Sequence, residues 1–502
     1  MILLYITLSY LWARLAARWV EPGLALGAGA LLFLAYNILV VNALGFLGLL
    51  TPLWLAALHG AGAGLAAGLG VDFRPKFLKL KAFEKILLVF AGALLAYFYL
   101  EAALLPPLGW DALSYHLTRP LLWLQEARFV QLPGWLLREN AGFSYPAGGE
   151  ALYLLQLALT RSQVGLGQAA LFYPIALLIL SAGSGRKWLL AALLTVLTPV
   201  GLVQSNLCYV DWALAFFAGA SALFLLEGEF FLALVGAGAA AAVKYHALPF
   251  LAVVFLASVY KSFKAGGFKK LGAGVGFAAA LFGPWYLWNW LSLGSPFWGL
   301  GSFPYAYAYQ YLGSPILALT FPLRDLGLGT HEGGLGPLFW FGALPLALWD
   351  SLKRRPYALL ALLWLSLFLF IPGNMHTGPR LLLPGVFLAF VSLAERFKGL
   401  PLKLIAATAL ALQALVPFQF LERKAFLWRV GDALSGRRLS PFVYYRYQFP
   451  QWEEWARLDR GVNLVFVNKN RGELLAPLFG SRLQNRVYFT ESAPTSLPAR
   501  QK

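Results

Sequence analysis

The sequence predicts an all-α polytopic membrane protein with about 12–14 transmembrane helices and a small C-terminal soluble α/β domain. Of its 502 residues, 60% are hydrophobic and only 12% are charged, and the mean hydropathy is +0.66. The apolar stretches are long and continuous, which is typical of spanning helices and not of the alternating strands of a membrane barrel. After residue 421 the composition becomes charged, and the segment Val462–Asn468 is typical of a β-strand.

Short basic breaks separate the apolar stretches and indicate how the chain is oriented. Such breaks face the cytoplasm by the positive-inside rule. They are Asp72–Lys85, Ser184–Lys187, Lys261–Lys270, Leu352–Pro356 and Glu395–Lys403. The N-terminus is apolar from its second residue and lacks a basic leader, so we expect a first membrane segment instead of a cleaved signal peptide.

The spans between these breaks cross the membrane in alternating directions. The predicted spans are Leu87–Leu105, Gly165–Ser181, Trp188–Gln204, Trp212–Leu226, Phe230–Val243, Leu248–Tyr260, Leu271–Leu291, Leu335–Trp349, Leu359–Ile371, Leu381–Leu393 and Leu404–Phe420. About three further spans precede Asp72. We therefore divide the chain into extra N-terminal helices (1–85), a transmembrane module (86–421) with outer loops 106–147 and 292–334, and the C-terminal domain (422–502).

The formal net charge of +18 does not indicate a nucleic-acid partner. The basic residues cluster in the breaks, where they orient helices. We expect membrane lipids as partners and no nucleic acid. The single cysteine excludes an internal disulfide and says nothing about the compartment.

Ionisable residues gather on the segments that this topology places outside. Apart from His59, every histidine falls on or beside such a segment: His116, His246, His331 and His376. Charged groups at membrane depth are costly, and by default they mark function. Their convergence on one face therefore predicts a functional site there.

The stretch "GWDALSYHL" combines a carboxylate, a phenol and an imidazole where an apolar span ends. In a helix from Ala112 to Leu117, Asp111 and Tyr115 are four positions apart and share a face, with His116 turned away. Asp111 has two interpretations. It either caps the helix or acts as a general base at the water–membrane boundary.

Three more charged residues have two interpretations each. Asp211 is either a helix cap or a second functional carboxylate. Lys244 is either a snorkelling lysine or a phosphate contact. Arg380 is either an interface anchor or a ligand for an anion, since its planar fork suits phosphate oxygens.

A divalent cation stays an open alternative as a cofactor, because two carboxylates lie near a histidine. We assign no residue as a metal ligand. The sequence has no HExxH or DxD spacing. His331 and Glu332 are adjacent, but they are isolated in a loop that we expect to be flexible. The glycines of Gly327–Pro337 lack the spacing of a phosphate-binding loop and indicate a mobile outer loop.

The segment "WDALSYHL" resembles a W-D-x-L-x-Y-H-L loop of GT-C type polytopic membrane glycosyltransferases, the dolichyl-phosphate-mannose-protein-mannosyltransferase-like and bacterial ArnT-like superfamily. Thr198–Leu226 resembles the second acidic motif of these proteins, with Asp211 as its acid, and "AAVKYHALP" resembles a span with a prominent lysine.

Further likenesses follow in the expected order. Pro284–Gly299 is similar to a Pro-Trp … Asn … Gly-Asn-Pro segment, with Ser295 where Asn is usual. "GPRLLLP" resembles an Arg-Tyr-Leu-Leu-Pro stretch, with Leu381 in the tyrosine position, and Ala476–Phe489 resembles C-terminal tails of the family. The resemblance covers roughly residues 86–490.

The resemblance implies an inverting transfer of sugar from a polyprenyl-phosphate donor to a hydroxyl of a lipid, glycan or protein, at the outer face of the inner membrane. Asp111 would be the catalytic base, and Asp211 would orient a substrate. The implied substrate-binding residues are Tyr115, His116, Lys244 and Arg380, with Arg119 and Arg138 in reserve. The main alternative is a lipid-linked-sugar flippase or other transporter; a ligase using the same donors and an inactive structural subunit are further ones.

Overall fold

The computed structural model describes most of the chain, with gaps. The described residues are 1–74, 78–205, 207–265, 268–298, 334–367, 378–396, 406, 410, 421–437, 439–447, 449–468 and 474–490. Within them the protein is almost entirely helical, with one two-stranded sheet near the C-terminus.

The described residues between 1 and 293 form fourteen α-helices. They are α1 (Ile2–Ala16), α2 (Ala25–Leu47), α3 (Pro52–Leu69), α4 (Ala82–Leu104), α5 (Thr118–Glu126), α6 (Gly134–Glu139), α7 (Ala151–Thr160), α8 (Gly167–Ser184), α9 (Arg186–Val196), α10 (Pro199–Val203), α11 (Asp211–Leu226), α12 (Phe230–Val243), α13 (Leu248–Ala265) and α14 (Phe268–Leu293).

Shorter elements complete the described chain. They are α15 (Leu344–Leu352), α16 (Pro356–Leu367), α17 (Gly378–Leu381), α18 (Leu383–Glu395), α19 (Leu421–Leu434), α20 (Trp452–Leu458), β1 (Leu464–Val467) and β2 (Arg486–Phe489). Two π-helical turns, Ala112–His116 and Phe339–Ala343, and several 3-10 turns join them.

The predicted multi-pass helical architecture is confirmed. In the described part of the chain, six helices are long and apolar enough to cross a membrane, and five shorter helices are also apolar. Helix α12 has the bounds predicted for its span. Most of the predicted span Leu404–Phe420 and most of the outer loop 292–334 lie outside the described residues.

One predicted span, Trp188–Gln204, is wrong as a single helix. It forms α9 and α10 instead, because Pro199 cannot continue the hydrogen-bond ladder of the preceding turn. The hydroxyl of Thr198 accepts a 3.1 Å hydrogen bond from the Gly201 N–H and caps the new helix.

Helix ends that carry the predicted basic breaks meet at one end of the bundle. Arg186 pairs with Glu84, the Lys187 amine lies 3.0 Å from the Glu395 carboxylate, and Arg396 pairs with Asp350. These contacts join α4, α9, α15 and α18 at the same end. The alternation of spans that the breaks predicted is therefore consistent with the packing of these helices.

The predicted strand forms, and a second strand pairs with it. β1 and β2 run parallel, with Leu464 opposite Arg486 and Val467 opposite Phe489. The small α/β unit packs on the segment that follows α4: the Tyr445 hydroxyl donates a 2.6 Å hydrogen bond to the Pro107 carbonyl. The unit therefore lies at the end of the bundle opposite to the basic breaks.

Candidate functional site

Four charged side chains from four separate segments form one cluster at the end of the bundle opposite to the basic breaks. Asp111 follows α4, Asp211 begins α11, Lys244 follows α12 and Arg380 lies in α17. Three contacts join them: 2.5 Å from Arg380 Nη2 to Asp111 Oδ2, 3.8 Å from Arg380 Nε to Asp211 Oδ2, and 2.7 Å from Lys244 Nζ to Asp211 Oδ1. We call these residues the charge cluster.

Asp111 is the more exposed of the two carboxylates in the charge cluster. Its side chain is 20% exposed, whereas that of Asp211 is fully buried. The Tyr115 hydroxyl donates a 3.2 Å hydrogen bond to Asp111 Oδ2, so the predicted shared face is confirmed. The capping interpretation of Asp111 is wrong, because its side chain makes no capping hydrogen bond to the π-helical turn that follows. The carboxylate contacts Tyr115 and Arg380 instead.

Asp211 is held in place by charge rather than by a helix cap. Val210 precedes the helix, and neither residue makes a side-chain capping bond. The capping interpretation of Asp211 is therefore wrong. A buried carboxylate needs a buried partner because an unpaired charge in low dielectric is costly, and Lys244 supplies it. Lys244 is itself buried, so the snorkelling interpretation of this lysine is also wrong.

Arg380 joins the two carboxylates. Its side chain is only 8% exposed, which excludes the interpretation as an interface anchor. The guanidinium carbon lies 4.7 Å from the centre of the Tyr209 ring, which is the stacking that arginine favours. Tyr209 also accepts a 3.3 Å hydrogen bond at its hydroxyl from the Asp111 N–H. Arg380 and Asp111 are thus positioned by the same tyrosine.

The pKa of Asp111 is lowered in this environment. Asp111 lies outside the membrane-spanning helices, in the segment between α4 and α5. Burial alone would raise the pKa of its carboxyl, but the positive charge of Arg380, with a smaller contribution from Lys244, more than offsets this. Asp111 is therefore ionised at neutral pH, as a general base must be.

A second buried cluster lies beside the first and centres on Glu150. His116 Nδ1 lies 2.7 Å from Glu150 Oε1, and Arg119 pairs with the same oxygen. Arg119 also donates to the Tyr145 carbonyl. The predicted substrate-binding residues His116 and Arg119 are thus brought together at Glu150, in a cluster beside the one that contains Asp111.

Sequence reasoning missed Glu150 and Tyr209. Glu150 is a single acid in the apolar stretch "YPAGGEALYLL". A lone carboxylate in a run that is apolar on both sides was the available signal, because such a charge needs a buried partner. Tyr209 carried no comparable signal.

Other predicted residues lie away from the charge cluster or outside the described chain. Arg138 is exposed on α6. His246 is partly buried, and its ring packs edge-on against Trp364 at 5.8 Å. The hydroxyl of Ser295, the departure from the family pattern, accepts a 3.2 Å hydrogen bond from the Phe297 N–H. His331 and His376 lie outside the described residues.

No metal centre is evident in the part of the chain that the structure describes. Its described residues contain no group of three or more His, Cys, Asp and Glu side chains placed to hold an ion. The carboxylates of the charge cluster are already paired with Lys244 and Arg380. The donor set at this site is suited to an anion as much as to a cation.

These observations define the class of protein: a helical multi-pass membrane protein with a buried, charge-balanced cluster at one end of its bundle. No protein-family model matches its sequence, and none of the curated proteins does.

Two solved structures are similar to this chain. One is ArnT from Cupriavidus metallidurans in the apo state, with 14% identity and a TM-score of 0.49, covering 82% of this chain and 87% of that one. The other is the same protein bound to undecaprenyl phosphate, with 16% identity and a TM-score of 0.46, covering 80% of this chain and 76% of that one. A similarity at this level assigns no role to any residue.

Proposed function

We propose that this protein is an inverting glycosyltransferase that moves a sugar from a polyprenyl-phosphate donor to an acceptor hydroxyl. One observation carries the proposal: a partly exposed carboxylate, Asp111, lies within hydrogen-bond distance of a buried arginine, Arg380, that also approaches the Asp211–Lys244 pair. A base for a hydroxyl and cations for a phosphate therefore occupy the same site.

The cations suit the leaving group of this reaction. A polyprenyl phosphate carries negative charge, which increases on the phosphate oxygens as the sugar departs. Fixed positive groups stabilise such charge strongly in a site of low dielectric. Lys244 and Arg380 are both buried and are the cations of the charge cluster.

Asp111 acts as the base in the proposed step. Its carboxylate takes the proton of the acceptor hydroxyl. The acceptor oxygen forms a bond to the anomeric carbon, and the bond from that carbon to the phosphate oxygen breaks from the opposite side. The configuration at the anomeric carbon inverts, and the electron pair leaves with the polyprenyl phosphate, which Arg380 and Lys244 hold. Asp211 keeps the two cations in position through its contacts with both.

Binding of the donor would activate the base. In the structure, Arg380 is paired with Asp111. A bound phosphate competes for the same guanidinium, because its oxygens suit the fork equally well. As Arg380 turns to the phosphate, the pKa of Asp111 rises toward the value that burial favours. The carboxylate then becomes a stronger base only when the donor is in place.

A flippase or other transporter for the same lipid is the second candidate. Transporters place paired charges near the bilayer midplane, on broken helices. Here Asp211 begins α11 and Lys244 follows the last residue of α12, so both lie at helix ends. This position supports an enzyme working at the membrane boundary. We place that boundary at the outer, periplasmic side of the inner membrane, because the basic breaks gather at the opposite end.

The test is a transfer assay with the full-length protein in liposomes. Polyprenyl-phosphate-linked hexoses and pentoses serve as donors, and alkyl glycosides, hydroxylated lipids and serine peptides as acceptors. We expect glycosylated acceptor and free polyprenyl phosphate in equal amounts. Asp111→Asn should lower the rate about 10²–10⁴-fold while its thermal unfolding stays close to that of the wild type.

Two results would overturn this proposal. One is wild-type turnover in Asp111→Asn, which would remove the base. The other is movement of intact donor across the bilayer with no cleavage of its sugar–phosphate bond, which would favour the transporter.

A further inference from the structure

The turn that carries Glu150 packs closely against the segments that carry Asp211 and Lys244. A Cβ added at Gly148 would lie 2.9 Å from the Ala242 carbonyl oxygen, and one at Gly149 would lie 2.5 Å from the Val210 side chain. Ala242 and Val210 lie close in sequence to Lys244 and Asp211. The two glycines thus let the backbone approach closely enough for Glu150 to reach the site from within the bundle.

Glu150 is fully buried and receives two hydrogen bonds on one oxygen. His116 Nδ1 and Arg119 both contact Oε1. The second oxygen, Oε2, is buried and has no hydrogen-bond partner among the described residues. Arg119 balances the charge of Glu150, so the contact to His116 is not needed for neutrality.

The His116 ring packs against both tyrosines that contact Asp111. Its centre is 4.2 Å from that of Tyr115 and 6.1 Å from that of Tyr209. Tyr115 donates to the Asp111 carboxylate, and Tyr209 accepts from the Asp111 N–H. The imidazole is therefore part of the wall beside the carboxylate that we assign as the base.

The contact with Glu150 determines which ring nitrogen carries the proton. An ionised carboxylate only accepts hydrogen bonds, so Nδ1 must donate. Burial lowers the pKa of His116, although Glu150 opposes this, so the ring is neutral at pH 7. In a neutral ring with the hydrogen on Nδ1, the other nitrogen, Nε2, has a free lone pair. His116 Nε2 is buried and makes no hydrogen bond to the described residues.

We infer that Glu150 is a positioning residue that holds His116 in the Nδ1–H tautomer, so that Nε2 accepts a hydrogen bond from a hydroxyl of the bound sugar substrate. This inference rests on the proposed function and extends it to the recognition of substrate. The hydroxyl belongs either to the transferred sugar of the donor or to the acceptor, since both present the same chemistry to Nε2. An unpaired buried acceptor is costly, and a substrate hydroxyl would satisfy it.

Two substitutions of His116 separate its ring nitrogens. Asn places its amide nitrogen near the position of Nδ1 and keeps the contact with Glu150, but it has nothing at the position of Nε2. Gln reaches the position of Nε2 and loses the contact with Glu150. We expect His116→Asn to raise KM for one substrate about tenfold, from the loss of one hydrogen bond, with a smaller change in kcat. A rise in donor KM identifies the donor sugar, and a rise in acceptor KM identifies the acceptor.

Two substitutions of Glu150 separate orientation from charge. Glu150→Gln keeps an oxygen at Oε1 for both donors and places its amide at the unpaired Oε2 position. It should retain the wild-type KM for the substrate that His116 recognises, even where the lost charge lowers stability. Glu150→Leu removes the acceptor and should raise that same KM as His116→Asn does. Equal effects of Gln and Leu on KM would overturn the inference, as would unchanged KM values in His116→Asn.

The tautomer can be measured without turnover by nitrogen NMR of protein labelled at its five histidines. His116→Asn identifies the signal of His116. We expect a proton on Nδ1, none on Nε2, and an Nε2 signal that shifts when a polyprenyl-phosphate-linked hexose or an alkyl glycoside is added. A proton on Nε2, or a signal indifferent to both probes, would overturn the inference. A protein that shows the shift but transfers no sugar would retain the binding role of His116 and refute the proposed transferase.

Discussion

The guanidinium of Arg380 donates a 2.5 Å hydrogen bond to the carboxylate of Asp111, although 269 positions separate the two residues. The same guanidinium approaches Asp211, at 3.8 Å. One arginine therefore connects the proposed base to the buried Asp211–Lys244 pair, and the predictions below depend on this connection.

Arg380→Lys should weaken binding of the donor. A lysine presents a single ammonium and cannot hold a phosphate with two parallel hydrogen bonds. A hydrogen bond to a charged group is worth about 1.5–3 kcal/mol, so we expect KM for the donor to rise about 10- to 100-fold. Steady-state kinetics in liposomes measures this, with the exposed Arg128→Lys as the control. Equal KM values for the two variants would contradict the phosphate role of Arg380.

The acid side of the pH–activity profile should depend on Arg380. The pKa of Asp111 lies below its usual value because the charge of Arg380 outweighs burial. Any stability that this shift provides is complete above the unfolded pKa of about 3.9 and is lost as pH falls through the lower folded value. In Arg380→Met burial remains and the cation is gone, so kcat/KM should start to fall at a higher pH. A profile of kcat/KM against pH checks this, and an unmoved acid limb would be inconsistent with the assignment.

Breaking the Lys244–Asp211 pair should destabilise the protein more than removing both charges. Lys244→Met leaves Asp211 buried without its nearest cation, and loss of one partner of a buried pair costs about 3–5 kcal/mol. The double variant Lys244→Met/Asp211→Asn should recover part of this loss, because no uncompensated carboxylate remains. Thermal unfolding in detergent provides the comparison.

An exposed pair is the control for this cycle. The Arg14–Asp72 ion pair also joins a basic residue to an aspartate, but this aspartate is 96% exposed. Asp72→Asn should therefore change stability by less than about 1 kcal/mol. A loss in Lys244→Met no larger than that of Asp72→Asn would show that the buried pair contributes little.

The C-terminal segment should support the site through Gln163. Its amide donates 2.9 Å hydrogen bonds to the carbonyls of Ala476 and Gly480, and the neighbouring Leu475 N–H donates to the Leu113 carbonyl beside Asp111. Gln163→Ala should loosen this segment. We expect faster trypsin cleavage at the exposed Arg482 together with reduced transfer, whereas Gln451→Ala, at an exposed glutamine, should change neither. Wild-type protease resistance in Gln163→Ala would remove this link.

Much of the fold was predictable because membrane insertion depends on local composition. Helix α12 appeared with its predicted bounds, and β1 lies within the predicted strand. The break before α10 was missed although Thr198-Pro199 is a good start for a helix. One proline changes the hydropathy averaged over a window very little, so hydropathy predicts a single span for this apolar stretch.

The candidate site was only partly predictable, for a different reason. Asp111, Asp211, Lys244 and Arg380 were identified because charge at membrane depth is costly and therefore informative. Glu150 was missed although a lone carboxylate in an apolar run carries the same signal, and its partners His116 and Arg119 lie 34 and 31 positions away. Nothing local shows that a carboxylate after two glycines turns toward a histidine on another segment.

The sequence by itself determined the class of protein and the residue types that a site could use. These follow from hydropathy and from the position of charges along the chain, which are properties of neighbouring residues. Only the tertiary structure decided that Arg380 contacts both Asp111 and Asp211, and that Glu150 contacts His116. These pairings depend on how the ends of distant helices pack, because a buried charge is stabilised by whichever opposite charge the packing brings to it.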